Sequence, residues 1–157
     1  MIKNDRNNFM SAPEKLMIGE EIQKDLESYS QQILAELPPG LLWEWDDRFD
    51  VPLLVFPKDM EEEILTVINH RFPNQWDINS VKSSPPPIRK LLDKTFGIQP
   101  RQTVFAMDTN REVFLFALCW PWNDEVTISL RISLTGKGIV GIDQEKIEEY
   151  LRKWFRL

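Results

Sequence analysis

The chain has 157 residues, a mass of 18.6 kDa, a formal net charge of −6 and a pI near 4.9. A chain of this length suits one domain that buries most of its apolar surface without a metal or disulfide staple. Its acidic balance excludes general attachment to phosphate backbones, because that affinity comes from Lys and Arg displacing counterions, and its single cysteine excludes an internal disulfide. With no long apolar run and no charged-then-apolar leader, the chain reads as cytoplasmic, with neither membrane nor nucleic acid as a partner.

Residues 1–10 are polar and asparagine-rich and read as a disordered terminus, leaving 11–157 as one α+β domain. Ser11, Ala12, Pro13 and Glu14 have the spacing of a capping box, which predicts a long N-terminal helix through Leu16, Ile22, Leu26, Tyr29, Ile33 and Leu37 until the prolines at 38 and 39. Residues 41–45 and 51–56 read as short strands around an acidic turn. Met60, Ile64, Val67, Ile68 and Phe72 trace an amphipathic helix capped by Asp59, with Glu62 three residues on. Residues 73–87 read as the longest loop, and 88–96 as a short helix ending at Gly97.

Next comes a three-stranded meander over 103–134. Residues 112–120 are apolar on both faces, the mark of a central strand, while Val126, Ile128, Leu130, Ile132 and Leu134 alternate with polar residues. A tight turn at 121–124 would set Trp120 opposite Glu125, Cys119 beside Val126 and Leu115 beside Leu130. One shared face is then wholly apolar, and on the other Phe114 lies opposite Arg131 and Phe116 opposite Ser129. The same arithmetic puts Val104 and Ala106 on the core face, with Phe105 beside Phe114 and Met107 beside Glu112. A last helix follows Asp143, with Ile142 and Ile147 as a hydrophobic staple and Ile147, Tyr150, Leu151 and Trp154 as its apolar stripe. The expected fold is a mainly antiparallel sheet of about five strands with amphipathic helices packed on it.

Two literal motifs lose their meaning in context. Residues 136–141 spell G-x-G-x-x-G, but the preceding strand is antiparallel and no second parallel strand can carry an acid for a ribose, so no dinucleotide cofactor is expected. Residues 46–50 spell DDxxD between two strands rather than on facing helices, which reads as an acidic turn and not a metal site. The single histidine, His70, and the single cysteine, Cys119, cannot supply the usual tetrahedral zinc sets, and a thiol pointing into an apolar face is inert. Pro85, Pro86 and Pro87 read as a loop entering a helix.

Tryptophan is the more telling excess: six residues, of which Trp43, Trp45, Trp120 and Trp122 fall near strand ends, where amphipathic rings often serve binding. The chain therefore reads as a non-catalytic protein-interaction module, adaptor-like, chaperone-like or regulatory, with a protein partner and with Trp120, Trp122, Phe114, Phe116, Phe105 and Arg131 as binding residues. The alternative is a small-molecule or anion-binding domain, with or without hydrolytic activity, using a pocket of Phe105, Phe114, Phe116 and Trp120 anchored by Arg131.

Overall fold

The structure is a computed structural model that describes residues 16–157; the expected disordered terminus and the capping box at Ser11 and Glu14 lie outside those residues. The described residues form an α+β fold in which one antiparallel sheet carries six strands in the order β1-β2-β6-β5-β4-β3. The strands are β1 (Trp43–Asp46), β2 (Val51–Pro57), β3 (Asn74–Trp76), β4 (Thr103–Ala106), β5 (Phe114–Pro121) and β6 (Thr127–Thr135). Four α-helices accompany them: α1 (Glu20–Glu36), α2 (Glu61–Arg71), α3 (Pro86–Leu91), which runs on as a π-helical turn over Leu92–Phe96, and α4 (Gln144–Phe155).

The sixth strand, β3, lies in the segment expected to be a loop. Its residues lack an apolar alternation, and pairing to β4 supplies the order: Asn74 lies opposite Ala106 and Trp76 opposite Val104, and the Asn74 side chain donates to the Met107 carbonyl at 2.9 Å. The N-terminal helix also departs from expectation, because residues 16–19 have no regular secondary structure and α1 begins only at Glu20, with Glu20 and Glu21 at the end of the helix dipole that favours negative charge. Helix α2 is entered through a 3₁₀ turn at Lys58–Met60, and neither Asp59 nor Glu62 caps it.

The β5–β6 hairpin keeps its faces but slides. Trp120 lies opposite Ser129, four residues beyond Glu125, so Cys119 meets Leu130, Leu115 meets Leu134, and Phe114 and Phe116 meet Thr135 and Ser133. The cause is a longer loop closed by Asp124, whose carboxylate accepts the Val126 and Thr127 amides at 3.0 and 2.9 Å and the Thr127 hydroxyl at 2.6 Å. An even slip leaves each side chain on its face. It does take Val126 out of the strand, and that residue is 61% exposed instead of packed beside Cys119.

The β4–β5 pairing slips by an odd number and therefore reverses. Phe105 lies opposite Ala117, and Ala106 opposite Phe116, three residues from the expected register. Phe105 thus shares the face of Ala117 and Cys119, while Val104 and Ala106 lie with Leu118 and Phe116. The Asp108 turn sets this loop, its carboxylate accepting the Asn110 amide at 3.0 Å and its carbonyl the Arg111 amide at 3.3 Å.

Helices cover both faces. On one, Leu54, Phe56, Ile128, Leu130, Ile132, Leu134, Leu115 and Ala117 form a continuous apolar sheet surface. Helix α4 packs there, with Trp43 against Phe155 at 5.2 Å and the Arg152 guanidinium over Trp45 at 4.0 Å, and α1 lies against α4. On the other face Phe96 meets Phe116 edge-on at 6.0 Å, and the Thr135 hydroxyl donates to the Pro87 carbonyl at 3.5 Å, so α3 and its π turn form the cover. The glycines of residues 136–141 have a packing reason: a Cβ on Gly136 would come within 2.2 Å of the Glu112 carbonyl oxygen, which also accepts the Gly138 amide at 2.8 Å.

Candidate functional site

The α3 side of the sheet places a charged residue in its interior. Arg131 projects from β6 where Leu53 and Leu118 flank it in register, and such a position requires a counter-charge, because an unpaired buried ion costs several kcal/mol. Asp46, the last residue of β1, reaches across β2 and accepts the Arg131 Nε at 2.5 Å. Its other oxygen accepts the Arg48 amide at 2.9 Å, so both carboxylate oxygens are engaged. Arg131 Nη1 donates to the Ser129 hydroxyl at 3.1 Å, which donates onward to the Trp120 carbonyl at 3.4 Å. The rings of Trp120 and Phe49 lie 4.4 and 5.3 Å from the guanidinium carbon. Arginine, acid and rings form a closed network.

That arrangement bears directly on the six binding candidates. Phe114 and Phe116 are buried under α3, Phe105 is buried on the reverse face, and Arg131 is taken up by Asp46. The four aromatic residues expected around one pocket therefore do not converge. Trp120 and Trp122 do come together, as one wall of a cleft of about 360 Å³ beside the β5–β6 hairpin tip, with Gln99, Pro100 and Arg101 opposite. Trp120 is half-buried, whereas Trp122 is 43% exposed. An Arg101 Nη2 donates to the Trp122 carbonyl at 3.5 Å and ties the two walls together. The Gln102 side-chain oxygen accepts the Gln99 amide at 2.7 Å and shapes the turn behind the cleft.

Residues 99–101 and Asp46 are what sequence reasoning missed. Asp46 carried a signal, since Arg131 is the one charged residue within its strand, opposite an apolar central strand, and the acidic turn was the densest source of a counter-charge. Residues 99–101 carried none; they reach Trp122 through the fold alone.

The elements of conventional catalysis lie apart. Burial, with a smaller push from the Glu61 carboxylate, raises the Cys119 thiol from its ordinary 9.0 to about 12, which keeps it protonated and weakly nucleophilic. His70 is exposed on α2, its Nδ1 4.0 Å from Glu36. Glu36 is held below its usual carboxylate range chiefly by accepting hydrogen bonds from Arg71. Asp46 of the acidic turn is committed to Arg131, and among the described residues no group of three or more His, Cys, Asp or Glu is placed to hold a metal. No helix among them is long and apolar enough to cross a membrane. No known protein family, curated protein or solved structure matches the chain.

Proposed function

We propose that this protein is a cytoplasmic, non-catalytic interaction module that engages a protein partner through the cleft at the β5–β6 hairpin tip. The observation that carries this reading is the exposure of Trp122 beside Trp120 and Arg101, because Trp and Arg in a recess dominate the energetics of protein recognition while most other contacts are near neutral. The Arg131 network behind Trp120 supports it by holding that ring against a guanidinium, which limits the side-chain entropy lost on binding. Pro121 adds stiffness between the two tryptophans.

The experiment is affinity capture from the native host with wild-type protein as bait, compared with Trp122→Ala and Arg101→Ala baits of matched thermal stability. A partner held by the wild type and lost by both variants is the expected result. Partners held equally by all three would remove the cleft from consideration.

A further inference from the structure

The hairpin tip cleft is chemically one-sided. No carboxylate lines it, and its one ionised group is the Arg101 guanidinium. That group is exposed, its one hydrogen bond among the described residues is the 3.5 Å contact with the Trp122 carbonyl, and it forms no ion pair with them. The indole N–H groups of Trp120 and Trp122 likewise donate to no described residue. Gln99 and Asn123 can donate or accept, so the groups in the lining restricted to one role are all donors, set beside the apolar surfaces of Trp122, Pro100 and Pro121.

The turn behind that wall has the same character. Thr103 pairs with Cys119, so Gln102 comes level with Trp120 one step beyond the ladder. Gln102 is 3% exposed, and its Nε2 is buried with no hydrogen-bond partner among the described residues, an uncommon state for a polar group. It lies too deep to meet a ligand, yet its uncompensated N–H dipole adds positive potential at the back of the cleft. The surface leading to the cleft agrees: from Lys82 to Arg101 there are five cations and one acid, Asp93, in a chain whose net charge is −6. The ion pairs of the described residues use His70, Arg71, Arg111, Arg131 and Lys146, and none uses those five. Interactions between exposed charges fade over about 8 Å at physiological salt, so this local excess outweighs the net charge in selecting what approaches. The acids of the hairpin loop compete little, because the Asp124 carboxylate accepts three hydrogen bonds within its own turn and Glu125 does not line the cleft.

On the reading of this cleft as the contact surface, we propose that the segment it takes is an acidic stretch of the partner, with an Asp or Glu carboxylate on Arg101 and a neighbouring apolar residue against Trp122. A carboxylate only accepts hydrogen bonds and matches the guanidinium fork with two parallel ones, so it answers the donor character of the lining. A basic segment would bring like charge to Arg101, and a wholly apolar one would cover the guanidinium without pairing it.

The test is selection of random peptides displayed on phage against the immobilised full chain, followed by titration of the enriched peptide, labelled with fluorescein, by fluorescence anisotropy. The enriched peptides should carry an Asp or Glu at a fixed spacing from an apolar residue. Exchanging that acid for Gln should weaken binding about tenfold, Arg101→Gln should do the same, and the two changes together should cost no more than either alone. Trp122→Ala should weaken binding too, and added salt should lower the affinity of the wild type. Peptides that need Trp122 but carry no acid, and bind Arg101→Gln as well as the wild type, would overturn the acidic segment and leave the cleft as the contact surface. Peptides that bind Trp122→Ala undiminished would remove the cleft, and the acidic segment with it. Failure of any peptide to enrich over an empty support would overturn the acidic segment, with capture by the Trp122→Ala and Arg101→Ala baits still deciding the cleft.

Discussion

The two faces of the sheet are built from the same strands and solve different problems. Beneath α4 the surface of Leu130, Ile132, Leu134, Leu115 and Ala117 carries only apolar side chains, and its cover needs nothing beyond shape and hydrophobicity. Beneath α3 the same two strands present Ser129, Arg131, Ser133 and Thr135 opposite Trp120, Leu118, Phe116 and Phe114, so each polar group needs its own partner. The apolar face supplies stability that tolerates small shifts. The mixed face supplies specificity: its ion pair lies against Trp120, and its far end opens into the tryptophan cleft.

The comparison breaks most sharply if one charge is forced onto the apolar face. Leu130→Lys should cost at least about 4 to 5 kcal/mol, because Leu130 is fully buried among apolar side chains and a lysine there would lose its hydration. Its neighbour on the other face is no safer: Ser129 is fully buried, so Ser129→Lys should also unfold the protein. Urea denaturation measures both, and a mild effect at either position would mean that the face in question is open.

Asp46→Ala probes the mixed face itself. Leaving Arg131 buried without its acid should cost roughly 3 to 5 kcal/mol, whereas Asp46→Ala combined with Arg131→Met should recover most of that loss. If the double variant is no more stable than the single one, the network contributes through packing rather than charge.

Alkaline titration sharpens the description of the apolar face. The Cys119 pKa is raised by burial from 9.0 to about 12, so its contribution is fully present below pH 9.0 and is lost as pH rises toward 12. At pH 10 the wild type should have lost up to about 1.4 kcal/mol more than Cys119→Ala, measured against each protein's stability at pH 8. Parallel pH profiles would place the thiol in contact with water.

The smallest effect is expected where the mixed face reaches solvent. Trp122→Ala should change stability by no more than about 1 kcal/mol, against roughly 3 to 5 for the buried Trp154→Ala in α4. A large loss at Trp122 would make it a structural lid and remove the basis for the interaction reading.

Much of this fold was legible in the chain. The period-2 pattern in 126–134 and the doubly apolar run before it identified a central pair with one apolar face, and the helical spacing of Ile64, Ile68 and Phe72 and of Ile147, Tyr150, Leu151 and Trp154 identified two buried stripes. The site was less legible. Of the six residues singled out, Trp120 and Trp122 line a common cleft, while Phe105, Phe114, Phe116 and Arg131 are buried elsewhere in the sheet.

The physical difference lies between local and non-local information. Alternation along a strand determines which side chains share a face, and it survives any even slip, which is why the β5–β6 faces hold although every partner moved by four. Loop length determines the slip, and Asp124 and Asp108 set it through hydrogen bonds to backbone amides that leave no periodic trace. An odd slip turned Phe105 to the other face, and pairing with β4 made a strand of three residues with no pattern of their own. The sequence by itself determined five of the six strands, the amphipathic helices and the strongly apolar face. Register, the Asp46 to Arg131 pairing and the meeting of residues 99–101 with Trp122 were decided by tertiary structure, because each depends on contacts between segments far apart in the chain.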